Sequence, residues 1–574
     1  MHANERGYVS IRSYYPTQSP LNYENVYLSS TLHYTPAQNV TLHVSLLKGQ
    51  GEPGYFPAGY FGDSGGGLYE QGTYYVIIED TFHLEKLILG NYVPLFGQGL
   101  LFGGIHDLIL SNPYYNLARH RDGIYPSGST SKNTLLEGIA LEYVRNNIAI
   151  RPFFSWNSYD CSAGESDYFK YNDNDWQDGT NDEDDDNFTG FEERFGRKYS
   201  CKTNLFTCIR GDSDYGEESD RLKRNNLVEY LGGVNLSIQG RDMDAGSTLT
   251  YTRFNRLIDP YYNFKEGEGD KTGHWFRGRD FVSSNIYFKL YQPLEIFGEI
   301  AGTFARSLSY YPEFNGDFVS AVGFSGGMRD KIRDTGLILW GAYLPPHLIN
   351  PHGLGLPDGC NNLACGLLGI HRTKKGRQLT SWVYVHSELY NEDDPGDEEA
   401  GIEGSYVLKH PWGAATVLKI DQSLEATYSH YYAPSVWSSR ISSKASVKHQ
   451  LSKKVSITFR FENRTGGPEG DRIKTGTGIS GELYVKRKRG TTSVSLMGFS
   501  TSADRFAYLY PYERPLYSWS FVPQAVYGNG FLSSVTMLQD FGELTLGTKL
   551  RWILDVSGVR DHSLNIYGLS EYRF

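Results

Sequence analysis

Long apolar runs are missing from these 574 residues. A helix that crosses a bilayer needs about 20 consecutive, mainly apolar residues. The nearest approach, residues 335–350, is shorter and contains Pro345 and Pro346, so no helical span is expected. The amino terminus, Met1-His-Ala-Asn-Glu-Arg6, lacks the apolar core of a secretory signal. Cysteine is scarce: Cys161, Cys201, Cys208, Cys360 and Cys365. The count is odd and the spacings match no zinc pattern, which argues against such a site. In an oxidising compartment the close pairs Cys201/Cys208 and Cys360/Cys365 would each be able to close a loop, with Cys161 free or competing.

Positive charge is also in short supply. The net charge is −11, yet ten acidic residues crowd into residues 172–193 with no Lys or Arg among them. Without that stretch the remainder sits near −1. No overall basic field of the kind that draws nucleic acid is present. The 15 histidines are scattered and form no His-Glu-x-x-His. No Gly-x-x-x-x-Gly-Lys-Ser/Thr occurs, and Gly97 and Gly99 are followed next by Gly103 with no βαβ unit around them. No sustained helical stripe appears. These absences predict neither an enzyme nor a cofactor.

Aromatic residues are plentiful: 44 Tyr, 30 Phe and 9 Trp. Period-2 alternation recurs along the chain. Val40, Leu42, Val44 and Leu46 alternate with Thr41, His43 and Ser45; Val455, Ile457, Phe459 and Phe461 alternate with Ser456, Thr458, Arg460 and Glu462. Such a pattern means a strand with one wet face. The last residues are the most telling. Leu564, Ile566, Gly568, Ser570, Tyr572 and Phe574 form a mostly apolar set, while Asn565, Glu571 and Arg573 lie on the other. An aromatic-ended strand with one lipid face and one lumen face is the closing strand of an outer-membrane barrel. Ile566, Tyr572 and Phe574 are its candidate membrane-insertion residues. The expected fold is therefore all-β: a large antiparallel transmembrane β-barrel over residues 1–574, in a bacterial outer membrane. Such a barrel must be exported, so Met1 is expected to begin a trimmed or mature chain.

Short turn signals separate the runs, at 36–39, 145–147, 292–293, 451–454 and 540–543. Longer polar segments fall at 49–72, 157–226, 259–279, 391–404 and 463–480. Short turns on one side and long loops on the other are the habit of such barrels. Counting back from Phe574, this alternation breaks between Leu451 and Ala525, which leaves the strand number even and about 20–26.

Residues 93–134 read differently. Val93 to Gly104 is Gly-rich and apolar, and Arg119 and Arg121 follow. This segment is either an inward-folded plug or a long surface loop. Glu295 and Glu299 share a face with Phe297, opposite Leu294, Ile296 and Ile300, which puts both carboxylates in the lumen. Paired with Arg119 and Arg121 they would anchor the plug or form a selectivity constriction. Glu137 joins these lumen candidates. The run 157–226 reads as a long acidic loop, extracellular in this arrangement. Asp173, Asp175 and Asp178 resemble a calcium loop, but the third acid is displaced and no Glu closes it. They remain weak calcium candidates beside a solvated acidic loop. Lys486 to Arg489 is a basic cluster at a strand end, suited to anionic headgroups.

Several short motifs, in shared order, resemble the barrel part of large Bacteroidetes-type helix-hairpin-helix domain-containing proteins. They include Gly51 to Phe56, Leu87 to Leu100, Gly123 to Pro126 with Glu137 to Ala140, Phe297 to Ala301, Tyr510 to Ser520 and Tyr527 to Phe531. The family's amino-terminal helix-hairpin-helix region has no counterpart here, and its usual Gly-Asp-Tyr is Gly90-Asn91-Tyr92. The resemblance implies a barrel and only a remote link to DNA. Three functions fit: a channel or uptake component of unassigned cargo; a non-conducting scaffold docking periplasmic or surface partners, DNA uptake included; or a secreted β-rich carbohydrate-active enzyme. The expected partners are outer-membrane lipid and lipopolysaccharide, the barrel assembly machinery and a periplasmic protein. Oligomeric state is left open.

Overall fold

The computed structural model describes residues 7–16, 26–48, 71–81, 84–103, 122–129, 135–161, 163–165, 199–201, 226–258, 276, 278–306, 318–332, 334–345, 348–353, 363–388, 399–429, 436–502, 504, 506–511, 513–516, 525–556 and 563–574. Among these residues there is one sheet of 27 strands and no helix. Three strands are short additions at one end: Gly123–Pro126, Ala163–Glu165 and Tyr199–Cys201. The other 24 run antiparallel, each to its neighbour, and close on themselves. The first, Gly7–Pro16, pairs with the last, Ser563–Arg573, from Tyr8 opposite Arg573 to Pro16 opposite Asn565. Gly7 and Phe574 exchange both backbone hydrogen bonds at 3.0 Å. Closure leaves no sheet edge, as a bilayer core requires.

The side chains are sorted inside out. Ile286, Ile300, Leu496, Phe459 and Phe531 all point outward and are well exposed. Ser155, Asn235, Thr248 and Glu299 point inward and are buried. In water the first arrangement would be costly; against lipid tails it is the stable one. Aromatic residues mark both rims of the outer face: Trp412, Phe541, Tyr572 and Phe574 at one end, Trp156, Tyr230 and Trp437 at the other.

The termini share their rim with every tight hairpin, such as Arg145–Ile148, Lys374–Arg377, Arg487–Gly490 and Phe541–Leu544. Asn146 (φ 56°) and the pair Lys375 (49°) and Gly376 (77°) take the left-handed conformation that two-residue hairpins need. The strand ends joined by longer connections lie at the opposite rim. The broken alternation in the sequence has a clear cause. Residues 463–480, read as a loop, are mostly strand: Val455–Pro468 and Lys474–Arg487 pair from Val455–Val485 to Gly466–Lys474. The basic cluster 486–489 is itself the tight hairpin to Gly490–Thr501. Their Gly, Thr and Arg content resembles a loop, but it suits a strand that is half lumen-facing.

Candidate functional site: a pinned inward segment beside a basic chamber

The strand Leu84–Leu95 keeps its ladder to the end, with Tyr92–Leu95 pairing to Gly123–Pro126. Val93–Leu95 are therefore strand, contrary to the irregular reading. Directly after them the chain turns into the lumen. Phe96, Leu100, Leu101 and Phe102 are buried there with Ile124, against Phe153, Leu231, Ala301, Trp340 and Leu348. Phe96 and Phe102 meet edge-on at 6.1 Å, and Phe153 contacts both rings at 5.9 and 5.7 Å.

Glu299 holds the tip of this segment. Its carboxylate accepts the backbone N–H of Gln98 at 2.6 Å and of Leu100 at 3.1 Å, and Asn285 Nδ2 at 2.7 Å. A buried carboxylate needs compensation, and here amide donors supply it. The approach is close enough that a Cβ on Gly97 (φ 63°) would lie 2.7 Å from Glu299 Oε2. A second inward stretch, 348–353, locks the far side. Asn350 Nδ2 donates to Leu100 O at 2.8 Å, and Gly103 N to His352 O at 3.0 Å. His352 Nε2 meets Glu229 at 3.0 Å, and Glu229 also accepts from Asn157 and Tyr159, each at 3.1 Å.

Where the chain returns, Asp122 enters a third network. Arg151 contacts Asp122 at 3.1 Å, Glu142 at 2.5 Å, Asn235 at 2.9 Å and Ser237 at 2.7 Å. Tyr287 donates to Asp122 at 2.6 Å, and Lys86 reaches Glu142 at 3.3 Å. This side of the lumen is packed, and among the described residues Lys86, Asp122, Glu142, Arg151, Glu229 and Glu299 each have a partner.

Glu295 and Glu299 thus both face the lumen, but they do not share a network. Glu295 pairs with Lys289 at 2.6 Å and with Arg329, whose Nε donates at 2.6 Å. Arg119, Arg121 and the rest of 104–121 lie outside the described residues, as do Asp173, Asp175, Asp178 and nearly all of the acidic run. Glu137 is a correction. Leu136 and Gly138 take the buried inward positions of Leu136–Arg145, so Glu137 faces outward and accepts from Tyr74 Oη at 2.8 Å. One residue of register moves a side chain to the other face. Ile566, Tyr572 and Phe574 point outward, and Tyr572 donates to Glu543 at 2.9 Å. Sequence reasoning missed Arg151, Asp122, Glu142, Glu229 and His352. Arg151 carried a signal, being a lone charge in mid-strand on the inward phase of Ile148–Tyr159; His352, in a connection, carried none.

The other side of the lumen is hollow. A chamber of about 1240 Å³ lies against the inner faces of the strands from Glu399–Trp412 round to Ser563–Arg573 and on to Tyr14 of the first strand. Eight Lys and Arg residues line it, against Asp421, Glu462 and Glu513. An inward connection, 506–516, narrows it. Glu513 sits between Lys549 at 2.7 Å and Arg551 at 2.6 Å; Arg514 pairs with Glu482 at 2.5 Å and lies 3.9 Å from the Tyr484 ring. Leu509 and Val526 bond to each other and join a small core with Met497, Phe499, Leu532 and Ile553. Even counting Glu482, the chamber keeps a positive excess.

No family model and no curated protein matches this chain. Among solved structures it is similar to the siderophore receptor PirA from Pseudomonas aeruginosa, at 7% identity over 100% of this chain and 81% of that one, with a TM-score of 0.43. The copper transporter OprC gives 6% identity, 100% and 80% coverage, and 0.42. OmpT, an outer membrane protein of Vibrio cholerae, gives 6% identity over 75% of this chain and 99% of that one, at 0.28. At such overlap neither fold nor function rests on them; the fold rests on the chain's own register and the sorting of its side chains.

Proposed function

We propose that this chain is a bacterial outer-membrane protein that conducts or takes up a solute through the hollow side of its lumen, while segment 96–103 and the return at Asp122 seal the other side. The observation that carries this reading is the coexistence, inside one closed barrel, of a packed sector and a charged chamber of about 1240 Å³. A scaffold with no passage would have little use for a chamber lined with charge. The resemblance to the barrel part of the helix-hairpin-helix proteins accords with this placement and names no cargo.

Single-channel conductance in a planar bilayer tests it, with folding checked by the shift between unheated and boiled samples on SDS gels. Stable openings in the intact protein are expected, with larger ones in Glu299→Ala. Silence in the intact protein with openings in Glu299→Ala would mean that a partner or trigger must release the inward segment. Silence in both folded proteins would overturn the reading in favour of a docking scaffold.

A further inference from the structure

One corner of the chamber holds two cations without counter-charge among the described residues, Lys409 and Lys448, on either side of Lys419. Lys409 lies directly opposite Lys419 in the ladder between Glu399–Trp412 and Thr416–Ser429. Both occupy inward positions. On the next strand, Val436–Ser452, Ser446 is opposite Lys419 and Lys448 is opposite Val417, one inward step nearer the rim. The nearest described carboxylate to Lys419 is Asp421 at 3.1 Å, with both side chains well exposed to the lumen. Lys409 and Lys448 form no ion pair with a described residue. Elsewhere in the chamber Lys444, Arg460, Arg514, Lys549 and Arg551 each have a carboxylate within 4 Å.

Like charges directly opposite across a ladder destabilise the sheet. Lys409 and Lys419 are so placed, and neither Lys409 nor Lys448 gains an ion pair among the described residues, so their use lies in what they bind. Two hydroxyls sit among them: Ser446 beside Lys419, and Thr458 opposite Lys448. The three lysines span two strand spacings, roughly 10 Å. A single phosphate is too small to bridge that width, whereas a chain of phosphates is not. All three lie near the rim that carries the termini, since Lys409 and Lys419 flank the hairpin Trp412–Thr416 and Lys448 precedes the hairpin Ser452–Val455.

We infer that Lys409, Lys419 and Lys448, with Ser446 and Thr458, form a binding site for a compact polyanion of the di- or triphosphate class at the terminus-side mouth of the chamber. The inference rests on the chamber being a solute route, but binding and passage are separable by measurement. Titration calorimetry on the folded, detergent-solubilised barrel with sodium tripolyphosphate is the test. Saturable 1:1 binding is expected, at least tenfold tighter than for inorganic phosphate. Binding is expected to weaken at least tenfold in Lys409→Gln/Lys419→Gln/Lys448→Gln. A control, Lys453→Gln/Lys454→Gln in the neighbouring hairpin, is expected to bind as the parent does. The triple variant should keep its gel shift at an equal or higher temperature, because a repulsion has been removed. No saturable binding in the parent, or equal binding in the triple variant, overturns the site. Equal loss in the hairpin control also overturns it, by showing a diffuse field. Conductance without tripolyphosphate binding would refute the site and spare the channel; binding without conductance would do the reverse.

Discussion

The two sides of this lumen solve the same problem in opposite ways. Both are walled by alternating strands, and both receive an inward connection. On the first side, Phe96, Leu100, Leu101 and Phe102 fill the space, and Glu299, Asp122 and Glu229 are each held by buried donors. On the second, the inward residues 506–511 and 513–516 leave a chamber in which Lys419 and Lys444 stay wet while Lys549, Arg551, Glu482 and Glu513 are buried in pairs. On the packed side Asp122, Glu142 and Glu295 meet Lys86, Arg151, Lys289 and Arg329, Glu229 meets His352, and Glu299 is held by amide donors. Cations dominate on the hollow side. A charge buried by packing must be neutralised to be tolerated. A charge facing water need not be, and is then free to act on a solute.

The sharpest way to break this comparison is to remove one cation from each side. Arg151→Ala strands Asp122 and Glu142 in a dry network, and a loss of about 3–5 kcal/mol is expected. Lys444→Ala, whose partner Glu462 lies 3.5 Å away beside the chamber, is expected to cost less than about 1 kcal/mol. Denaturant unfolding in detergent measures both, and equal losses would show that the sides do not differ in hydration. Next comes Leu101→Ala, expected to cost about 2–5 kcal/mol by opening a cavity in the packed side. Glu299→Ala leaves the amides of Gln98 and Leu100 and the side chain of Asn285 without their acceptor, at about 1–3 kcal/mol for each donor left dry. Its larger effect should be on conductance, and unchanged current with intact folding would show that this segment is no seal. Arg514→Ala removes the contacts with Glu482 and the Tyr484 ring. It is expected to widen the chamber and raise conductance while costing about 1–2 kcal/mol. The smallest effect on stability is expected from Lys409→Gln, within about 0.5 kcal/mol of zero, but reversal potentials in a salt gradient should then shift away from anion preference.

The same contrast explains how much could be read from the chain alone. Alternation in Val455–Phe461 or Leu564–Phe574 states which residues face lipid, because lipid and lumen impose opposite chemistry on successive side chains. That local rule was enough for the barrel, its terminal strand, and the inward phase of Glu295 and Glu299. It was misapplied at Glu137, which shares the parity of Ile139, Leu141 and Tyr143, the outward-facing set of Leu136–Arg145. It failed at 463–480, whose polar lumen face made two strands look like a loop.

The sequence by itself determined the fold class and the face of those strand residues whose alternation is regular, since both depend only on neighbours in the chain. Partners across the lumen were decided by the tertiary structure alone. Glu299 meets Gln98 about 200 positions away in the chain, and Asn350 meets Leu100 250 positions away. No local pattern encodes such pairs, because closing the ring is what sets which inner faces confront each other. For the same reason the hollow side could not be foreseen: Lys409, Lys419 and Lys448 become one basic corner only when three strands lie in register around empty space.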